Sequence, residues 1–257
     1  MVASSIPILE TQDLNKSFGA VTAAADINVI VPEGQIVGII GANGAGKTTF
    51  VNMVTGYLKP ERGRIMFKGR EITALPPRQI TRIGICRSFQ IAQLFPTLTV
   101  LDNVLVALGI SESRRPGLWR ALRTADNVSR AETLLSAYAM AEHKNQSTTA
   151  VSQGVRKLLD IAMAMVGHPS LVLLDEPTSG ISADEKFMIM DRVMQRLAKT
   201  GVTVLFVEHD MEVVERYASR VLAFYDGRII GDGSPSVVLA SAEVRRYVVG
   251  TELHRRA

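Results

Sequence analysis

The chain has 257 residues, of which 47% are hydrophobic and 21% charged, and its formal net charge is +4. This length suits one large α/β domain or two lobes that share a core, and the composition excludes a disordered or coiled-coil chain. No apolar run reaches the roughly 18 residues that cross a bilayer, and the N-terminus lacks the basic and apolar regions of a signal peptide. The single cysteine, Cys86, excludes an internal disulfide and fits a reducing compartment. The sequence therefore predicts a cytoplasmic globular protein.

The basic residues do not form a patch of the kind that binds nucleic acid. They are scattered along the chain, in pairs such as Arg114–Arg115 and Arg245–Arg246, and aromatic residues make up only 5% of the sequence. Scattered charge is typical of a solvated surface, and single-stranded nucleic acid needs aromatic rings on which bases stack. We therefore predict no nucleic-acid partner.

The first two predicted elements are strands within residues 8 to 31, where apolar and polar residues partly alternate. Between them, Lys16 to Ala20 is predicted to be a turn that carries one aromatic ring, Phe18. Two interpretations of Phe18 stay open at this stage. The ring could be a hydrophobic plug at the end of a hairpin, or it could stack on a flat base, an interaction worth roughly 1–3 kcal/mol.

A glycine-rich turn between a buried strand and a helix is the most informative stretch of the chain. The strand is predicted over Gln35 to Ile40, and a short helix runs from Thr49 until Gly56. The turn follows the pattern G-x-x-x-x-G-K-T, and its residues are Gly41, Ala42, Asn43, Gly44, Ala45, Gly46, Lys47, Thr48 and Thr49.

This strand–turn–helix context predicts a phosphate-binding loop rather than an ordinary glycine-rich turn. Glycines let successive backbone N–H groups converge on an anion, and the helix N-terminus adds partial positive charge. Lys47 would supply a point charge for the β and γ phosphates, and the Thr48 hydroxyl would ligate Mg²⁺. The stretch therefore predicts a nucleoside triphosphate site.

Further along, a strand is predicted over Arg64 to Gly69, and Pro76–Pro77 opens a short helix over Arg78 to Arg82. The stretch from Ile83 to Gln90 is predicted to be a strand that ends in a glutamine. A glutamine at the end of a strand does not by itself indicate a function. From Leu98 to about Gly167 the pattern is helical, which predicts a helical insert between two halves of an α/β core. The predicted helices cover Asp102 to Leu108, Leu118 to Val128, Arg130 to Ala141 and Arg156 to Val166.

The core resumes with an apolar strand from Ser170 that ends in Asp175 and Glu176. An acid at the end of a buried parallel strand can hold Mg²⁺ through water, and a second acid can polarise an attacking water. A helix over Asp184 to Lys199 follows, and then a strand from Gly201 that ends at Glu208 and His209. One histidine after an apolar strand is more often a core residue than a functional one. The convergence of three strand ends favours a site formed by Lys47, Asp175–Glu176 and His209.

Together these stretches resemble the nucleotide-binding subunit of ATP-binding cassette (ABC) transporters over nearly the whole chain. Gly41 to Thr48 matches the Walker A motif, Leu171 to Asp175 the Walker B motif, and Glu176 the catalytic carboxylate. Gln90 falls on the Q-loop of the family, His209 on its switch histidine and Phe18 on its adenine-stacking aromatic. The resemblance implies catalytic roles for Glu176, His209 and Lys47, and a metal held by Thr48, Gln90 and Asp175.

The resemblance also implies a fold: an α/β P-loop NTPase (RecA-like) core with an antiparallel β subdomain and a helical insert. The chain would be one ABC ATPase domain, with residues 1–90 and 168–235 forming the core and the β subdomain. Residues 91–167 would form the helical subdomain and 236–257 a C-terminal helical tail.

Within the family, several stretches are similar to the importers of branched-chain and hydrophobic amino acids. They are Gly84 to Gln90, Leu94 to Val104, Val207 to Met211 and Arg246 to Gly250. This likeness implies ATP and Mg²⁺, a homodimer or a heterodimer with a similar ATPase subunit, and integral membrane permease subunits. A solute-binding protein would be an indirect partner, and the chain would lie on the inner face of the cell membrane.

The signature motif is where the chain departs from the family pattern L-S-G-G-Q. Ser152, Gln153 and Gly154 would face the nucleotide of a second subunit, but Val155 replaces the final glutamine. The stretch after Walker B, Ser179 to Ser182, also lacks the usual aspartate. Two hypotheses follow: an ATPase that drives an importer, or a weakly hydrolysing regulatory half of a heterodimer. A GTPase or small-molecule kinase is disfavoured because no N-K-x-D motif follows a strand.

Overall fold

The computed structural model describes residues 6–88, 94–112 and 121–249, and for Val249 it describes the backbone only. Its central sheet has six strands in the order β10-β9-β3-β8-β7-β6. Strands β9, β3, β8, β7 and β6 run parallel, and β10 pairs with β9 in the antiparallel sense. The bounds are β3 Ile36–Gly41, β6 Ile85–Ser88, β7 Leu171–Asp175, β8 Thr203–Val207, β9 Arg220–Tyr225 and β10 Arg228–Gly233.

A second sheet of four antiparallel strands has the order β2-β1-β4-β5. Its bounds are β1 Leu9–Phe18, β2 Val21–Val31, β4 Arg62–Phe67 and β5 Arg70–Glu71. The predicted turn over Lys16 to Ala20 is wrong in its first half, because Lys16 pairs with Ala24 and Phe18 with Val21. The turn itself is limited to Gly19, whose φ is +60°, and Ala20. A glycine that accepts this left-handed conformation lets both strands continue almost to their junction.

Helices occupy most of the longer connections between these strands and the chain after β10. Their bounds are α1 Lys47–Val54, α2 Pro77–Arg82, α3 Val100–Glu112, α4 Ala125–Ala137, α5 Gln153–Met165, α6 Ala183–Thr200, α7 Met211–Tyr217, α8 Pro235–Ala240 and α9 Ala242–Val244. A short 3₁₀ helix covers Ala141–His143, and a π-helical turn covers Arg245–Val249.

The helix predicted over Leu118 to Val128 is wrong for residues 121–124, which are not helical, whereas residues 125–128 belong to α4. Thr124 has an extended backbone and caps α4, accepting a hydrogen bond from the Asn127 N–H at 3.2 Å. A threonine in this role stabilises a helix start and so separates the preceding residues from α4. The helix predicted to end at Ala141 stops four residues earlier, and Ala139, with φ +54°, lies just beyond its end.

The hydrophobic core lies on both faces of the central sheet, since alternate residues of its strands point to opposite sides. Val37 and Ile39 pack with the antiparallel sheet and α1, whereas Ile40 packs with residues of α3 to α7. Tyr138 is buried within the helical layer. The expected α/β core with an antiparallel β subdomain and a helical insert is confirmed.

In the part of the chain that the structure describes, no helix is long and apolar enough to span a membrane. The residue boundaries predicted for the core, helical and C-terminal parts stay predictions.

Candidate functional site

Three neighbouring parallel strands end at one edge of the central sheet, which we call the carboxyl edge. Strand β8 lies between β3 and β7, and Val207 is level with both Ile39 and Asp175. Backbone hydrogen bonds continue past the strand ends: Glu176 N–H donates to the Val207 carbonyl at 3.0 Å, and Glu208 N–H donates to the Ile39 carbonyl at 3.2 Å. The glycine-rich loop, Glu176 and His209 therefore start from adjacent positions, as the convergence argument predicted.

The glycine-rich loop folds around the buried amine of Lys47. Lys47 Nζ donates to the Gly41 carbonyl at 2.6 Å and to the Ala42 carbonyl at 3.0 Å. Burial lowers the pKa of Lys47, and the negative charges of Glu176 and Asp175 oppose that shift. The amine is thus held beneath the loop, within electrostatic reach of both acids.

Gly46 allows this loop to lie against the antiparallel sheet. Its φ is +102°, and a Cβ added there would lie 2.3 Å from the Ala23 carbonyl oxygen of β2. No side chain can occupy that space, and L-residues rarely adopt such a φ. The loop and the second sheet are therefore fixed relative to each other through this contact.

Helix α1 starts at Lys47, and its N-terminus is available to an anion. Its N-cap, Gly46, has no side chain to cap the helix, and its first turn carries no acidic residue. The first N–H groups of a helix lack intrahelical partners and carry partial positive charge. Asn43, Gly44 and Thr48 are exposed, whereas Ala45 is buried and Thr49 is half-buried. The loop therefore offers N–H groups and a hydroxyl to solvent above the Lys47 amine.

Asp175, at the end of β7, is buried and paired with an arginine. Arg87 Nη2 lies 2.5 Å from Asp175 Oδ2, and Arg87 Nη1 donates to Asn52 Oδ1 of α1 at 2.6 Å. Arg87 belongs to a stretch that carries the family resemblance, but the sequence indicated no role for it. A charged residue within the predicted strand was the available signal, since a buried cation needs a partner.

Glu176 and His209 contact each other at the carboxyl edge. His209 Nε2 lies 3.1 Å from Glu176 Oε1, and both side chains are partly exposed. Glu176 has φ +46°, a left-handed conformation that non-glycine residues adopt at some cost. The backbone thus turns sharply after Asp175 and directs the Glu176 carboxylate toward the end of β8, where His209 stands.

Glu208 is a second residue of the site to which the sequence pattern assigned no role. It is buried, and its carboxylate accepts hydrogen bonds from Thr178 N at 2.9 Å, Thr178 Oγ1 at 2.7 Å and His209 N at 3.1 Å. Burial raises the pKa of Glu208, and these hydrogen bonds oppose the shift. Glu208 therefore ties the turn that follows Glu176 to the backbone of His209.

Phe18 stands at the end of β1, with 52% of its surface exposed. Lys16 Nζ lies 5.5 Å from the centroid of its ring. This exposure does not fit a buried plug, so the second interpretation, a ring that stacks on a base, is the one we retain as a prediction.

The signature residues lie at the N-terminus of α5. Ser152 is exposed, and its Oγ accepts from Val155 N at 3.3 Å as the helix cap. A Cβ added at Gly180 would lie 2.4 Å from Gln153 Nε2, so the Gln153 side chain covers the turn after β7. A Cβ at Gly154 would lie 2.5 Å from Ile189 Cδ1, so this glycine allows α5 to pack closely on α6.

The oxygen donors at the carboxyl edge fit a magnesium nucleotide. The exposed Thr48 hydroxyl and the Asp175 carboxylate are the hard ligands that Mg²⁺ prefers, and phosphates would meet the N–H groups of the loop. Among the described residues, no group of three or more His, Cys, Asp or Glu side chains could hold a metal. Gln90, the third predicted ligand, lies outside the described residues.

Comparisons with known proteins agree with this geometry. Residues 24–179 match the family model of the ABC transporter. A probable branched-chain amino acid transport ATP-binding protein, LivG of Archaeoglobus fulgidus, is 33% identical over 249 residues, which are 95% of this chain and 96% of the relative. The high-affinity branched-chain amino acid transport ATP-binding protein LivG of Escherichia coli K12 is 32% identical over 254 residues, 96% of this chain and 99% of the relative.

Solved structures are similar over the same extent. The ADP conformation of MJ1267, an ATP-binding cassette of an ABC transporter, superposes with a TM-score of 0.84 at 29% identity, covering 93% of this chain and 97% of that one. The dimeric post-hydrolysis structure of the cassette MJ0796, bound to ADP and Pi, gives a TM-score of 0.76 at 26% identity and covers 88% of this chain and 98% of that one.

Proposed function

The chain belongs to the ABC transporter family, and from this premise we propose that it is the ATP-hydrolysing subunit of an importer for branched-chain or other hydrophobic amino acids. The observation that carries the proposal is the meeting of Lys47, Asp175 and the Glu176–His209 pair at one edge of the sheet. The cargo is suggested by relatives that are named for branched-chain amino acid transport.

We assign the binding of ATP to the glycine-rich loop and the antiparallel sheet beside it. Lys47, the loop N–H groups and the N-terminus of α1 would hold the phosphates. Phe18 would stack on the adenine. Thr48, Asp175 and Gln90 would hold Mg²⁺, and a bound Mg²⁺ would neutralise charge on the β and γ phosphates.

Glu176 is the residue that we assign as the general base. Its carboxylate accepts the proton of the attacking water, while the 3.1 Å contact with His209 keeps the side chain at the carboxyl edge. His209 would in addition stabilise negative charge that develops on the γ-phosphate. The hydrogen bonds that Glu208 accepts from Thr178 and from the His209 backbone hold Glu176 and His209 in place.

We propose that the working site needs a second subunit. Ser152 and Gln153 are exposed at the start of α5, next to the buried Gly154, and a helix N-terminus there can meet the phosphates of another chain. Two ATP-bound chains would thus close face to face, as a homodimer or with a similar subunit. The dimer would lie on the inner face of the membrane, joined to permease subunits and served indirectly by a solute-binding protein.

The decisive experiment replaces the base in the assembled transporter. Glu176→Gln is expected to reduce ATP turnover by about 10²–10⁴-fold, because the amide cannot accept the proton. ATP-induced association of the subunits should persist, since binding does not use this proton transfer. Glu215→Gln, at an exposed position of α7, is the matched control and should hydrolyse ATP at the wild-type rate. Unchanged turnover in Glu176→Gln would overturn the assignment.

The alternative, a weakly hydrolysing half of a heterodimer, rests on Val155 and on the serine at position 182. The ATPase activity of this chain alone, compared with its activity in a mixture with a second ATP-binding subunit, separates the two functions. Activity that arises only in the mixture, and survives Glu176→Gln, would favour the alternative.

A further inference from the structure

Arg87 links the predicted metal ligand to the helix that follows the phosphate-binding loop. One terminal nitrogen of its guanidinium lies 2.5 Å from Asp175 Oδ2, and the other lies 2.6 Å from Asn52 Oδ1. The side chains of Arg87 and Asp175 are only 8% and 11% exposed. Three elements, β6, β7 and α1, therefore meet at one guanidinium group.

Because the Arg87–Asp175 pair is buried, the positive charge of Arg87 strongly affects any cation that binds to Asp175. In a partly dehydrated site the attraction between a guanidinium and a carboxylate is stronger than on the surface. A divalent cation that approaches the same carboxylate meets the positive charge of Arg87 as well. The closer that charge stands to Asp175, the more it weakens the binding of the metal.

We propose that Arg87 is a positioning residue that occupies the Asp175 carboxylate before Mg²⁺ arrives and competes with the metal for it, an inference that rests on the function proposed above. Arg87 thus sets the affinity of the site for Mg²⁺ and keeps the buried carboxylate paired. Binding of the metal nucleotide loosens the Arg87–Asp175 pair. Because Arg87 also donates to Asn52, the exchange acts at once on Asp175 and on α1.

A merely structural role for Arg87 predicts the opposite result on metal binding. If the guanidinium only held Asp175 in the right orientation, its removal would leave the carboxylate misplaced and the metal more weakly bound. Competition predicts tighter metal binding when the charge is removed. The sign of the change in metal affinity therefore separates the two roles, whatever happens to turnover.

The test titrates Mn²⁺ into the full chain, held in excess over ATP so that little free nucleotide is left to chelate the metal, and follows free Mn²⁺ by electron paramagnetic resonance. In Arg87→Gln the Mn²⁺ dissociation constant is expected to fall by about tenfold, the size of effect that a neighbouring charge has on an ionic equilibrium. Arg87→Lys keeps the charge and should stay close to wild type. Arg220→Gln is the matched control, because it breaks the Arg220–Asp232 pair at the opposite, amino end of β9.

An unchanged or weakened affinity in Arg87→Gln overturns the proposal. If wild type itself does not bind Mn²⁺ with ATP, the proposed function fails. If wild type binds Mn²⁺ in the presence of ATP and Arg87→Gln binds it with the same affinity, only the proposed role of Arg87 is refuted.

A second measurement uses wild type and covers the case in which Arg87→Gln does not fold. In protein labelled at its arginine guanidinium groups, the nuclear magnetic resonance signal of Arg87, assigned through Arg87→Lys, should shift when Mg²⁺ is added to the ATP-bound chain. ATP alone should leave it nearly unmoved. If the Arg87 signal does not shift when Mg²⁺ is added to a chain that binds Mg²⁺–ATP, the proposed competition between Arg87 and the metal is refuted.

Discussion

The carboxyl edge and the start of α5 hold their polar groups in different ways. At the carboxyl edge, Lys47, Asp175 and Glu208 are buried and bonded to groups from other elements. At the start of α5, Ser152 and Gln153 are exposed, and the Ser152 hydroxyl bonds within its own helix turn. The first region is organised inside one chain, whereas the second presents its groups outward.

This difference leads to separate expectations for variants of the two regions. Changes at the carboxyl edge should alter nucleotide binding by a single chain, since the loop, Lys47 and the start of α1, to which we assign the phosphates, all belong to that chain. Changes at the start of α5 should leave that binding intact and act only when two chains meet. Variants that break this separation would show that the two regions are not independent.

The largest effect on single-chain binding is expected for Lys47→Met. A hydrogen bond to a charged group is worth about 1.5–3 kcal/mol, so the ATP dissociation constant of the isolated chain should rise by roughly 10–100-fold. Isothermal titration calorimetry measures it directly. Lys199→Met, at an exposed position near the end of α6, should bind as wild type does. Equal affinity of Lys47→Met and wild type would contradict the role of the loop.

The converse test is Ser152→Ala, whose effect should be confined to the assembled state. ATP affinity of the single chain should not change, but turnover of the transporter should fall by about tenfold, because a hydroxyl that faces charge in the closed dimer is lost. Thr124→Ala controls for the loss of a helix cap, since Thr124 caps α4 in the same way. Weakened binding of ATP by isolated Ser152→Ala would break the separation of the two regions.

The elements around the loop could be predicted because their signals are local. The strand–glycine–helix pattern around Lys47 and the apolar strand before Asp175 lie within a few residues, and the structure has both where they were expected. Local patterns failed where one residue decided the outcome. Gly19 allowed β1 to extend through Phe18, and Thr124 separated the preceding residues from α4.

The contacts that complete the carboxyl edge could not be predicted from local pattern. Arg87 and Asp175 are 88 residues apart in the sequence, and Thr178 and Glu208 are 30 apart. Such pairs depend on strand order, since β6, β7 and β8 must be neighbours before the side chains can meet. Strand ends could be assigned to one edge from the sequence, but the partner of each charge could not.

The smallest expected effect concerns the stability of the carboxyl edge and follows from Glu208. Burial raises the pKa of this carboxyl above its ordinary value of 4.5, so folding favours its protonated form. The resulting contribution to stability is fully present below pH 4.5 and is lost as the pH rises through the elevated pKa. In Glu208→Gln this group no longer titrates. The free energy of unfolding of wild type minus that of Glu208→Gln should therefore decrease as the pH rises.

Thr178→Val sharpens this test, because the Thr178 hydroxyl donates to Glu208 at 2.7 Å and favours the charged form. Without that hydrogen bond the pKa of Glu208 should rise further, so the stability of Thr178→Val should decline more steeply with pH than that of wild type. Urea unfolding at a series of pH values measures both slopes. Parallel curves for wild type and Glu208→Gln would mean that Glu208 titrates alike in the folded and unfolded chains. The hydrogen bonds from Thr178 and His209 would then fully offset the cost of burying the Glu208 carboxylate. In that case the carboxyl edge would differ from the exposed start of α5 only in its geometry.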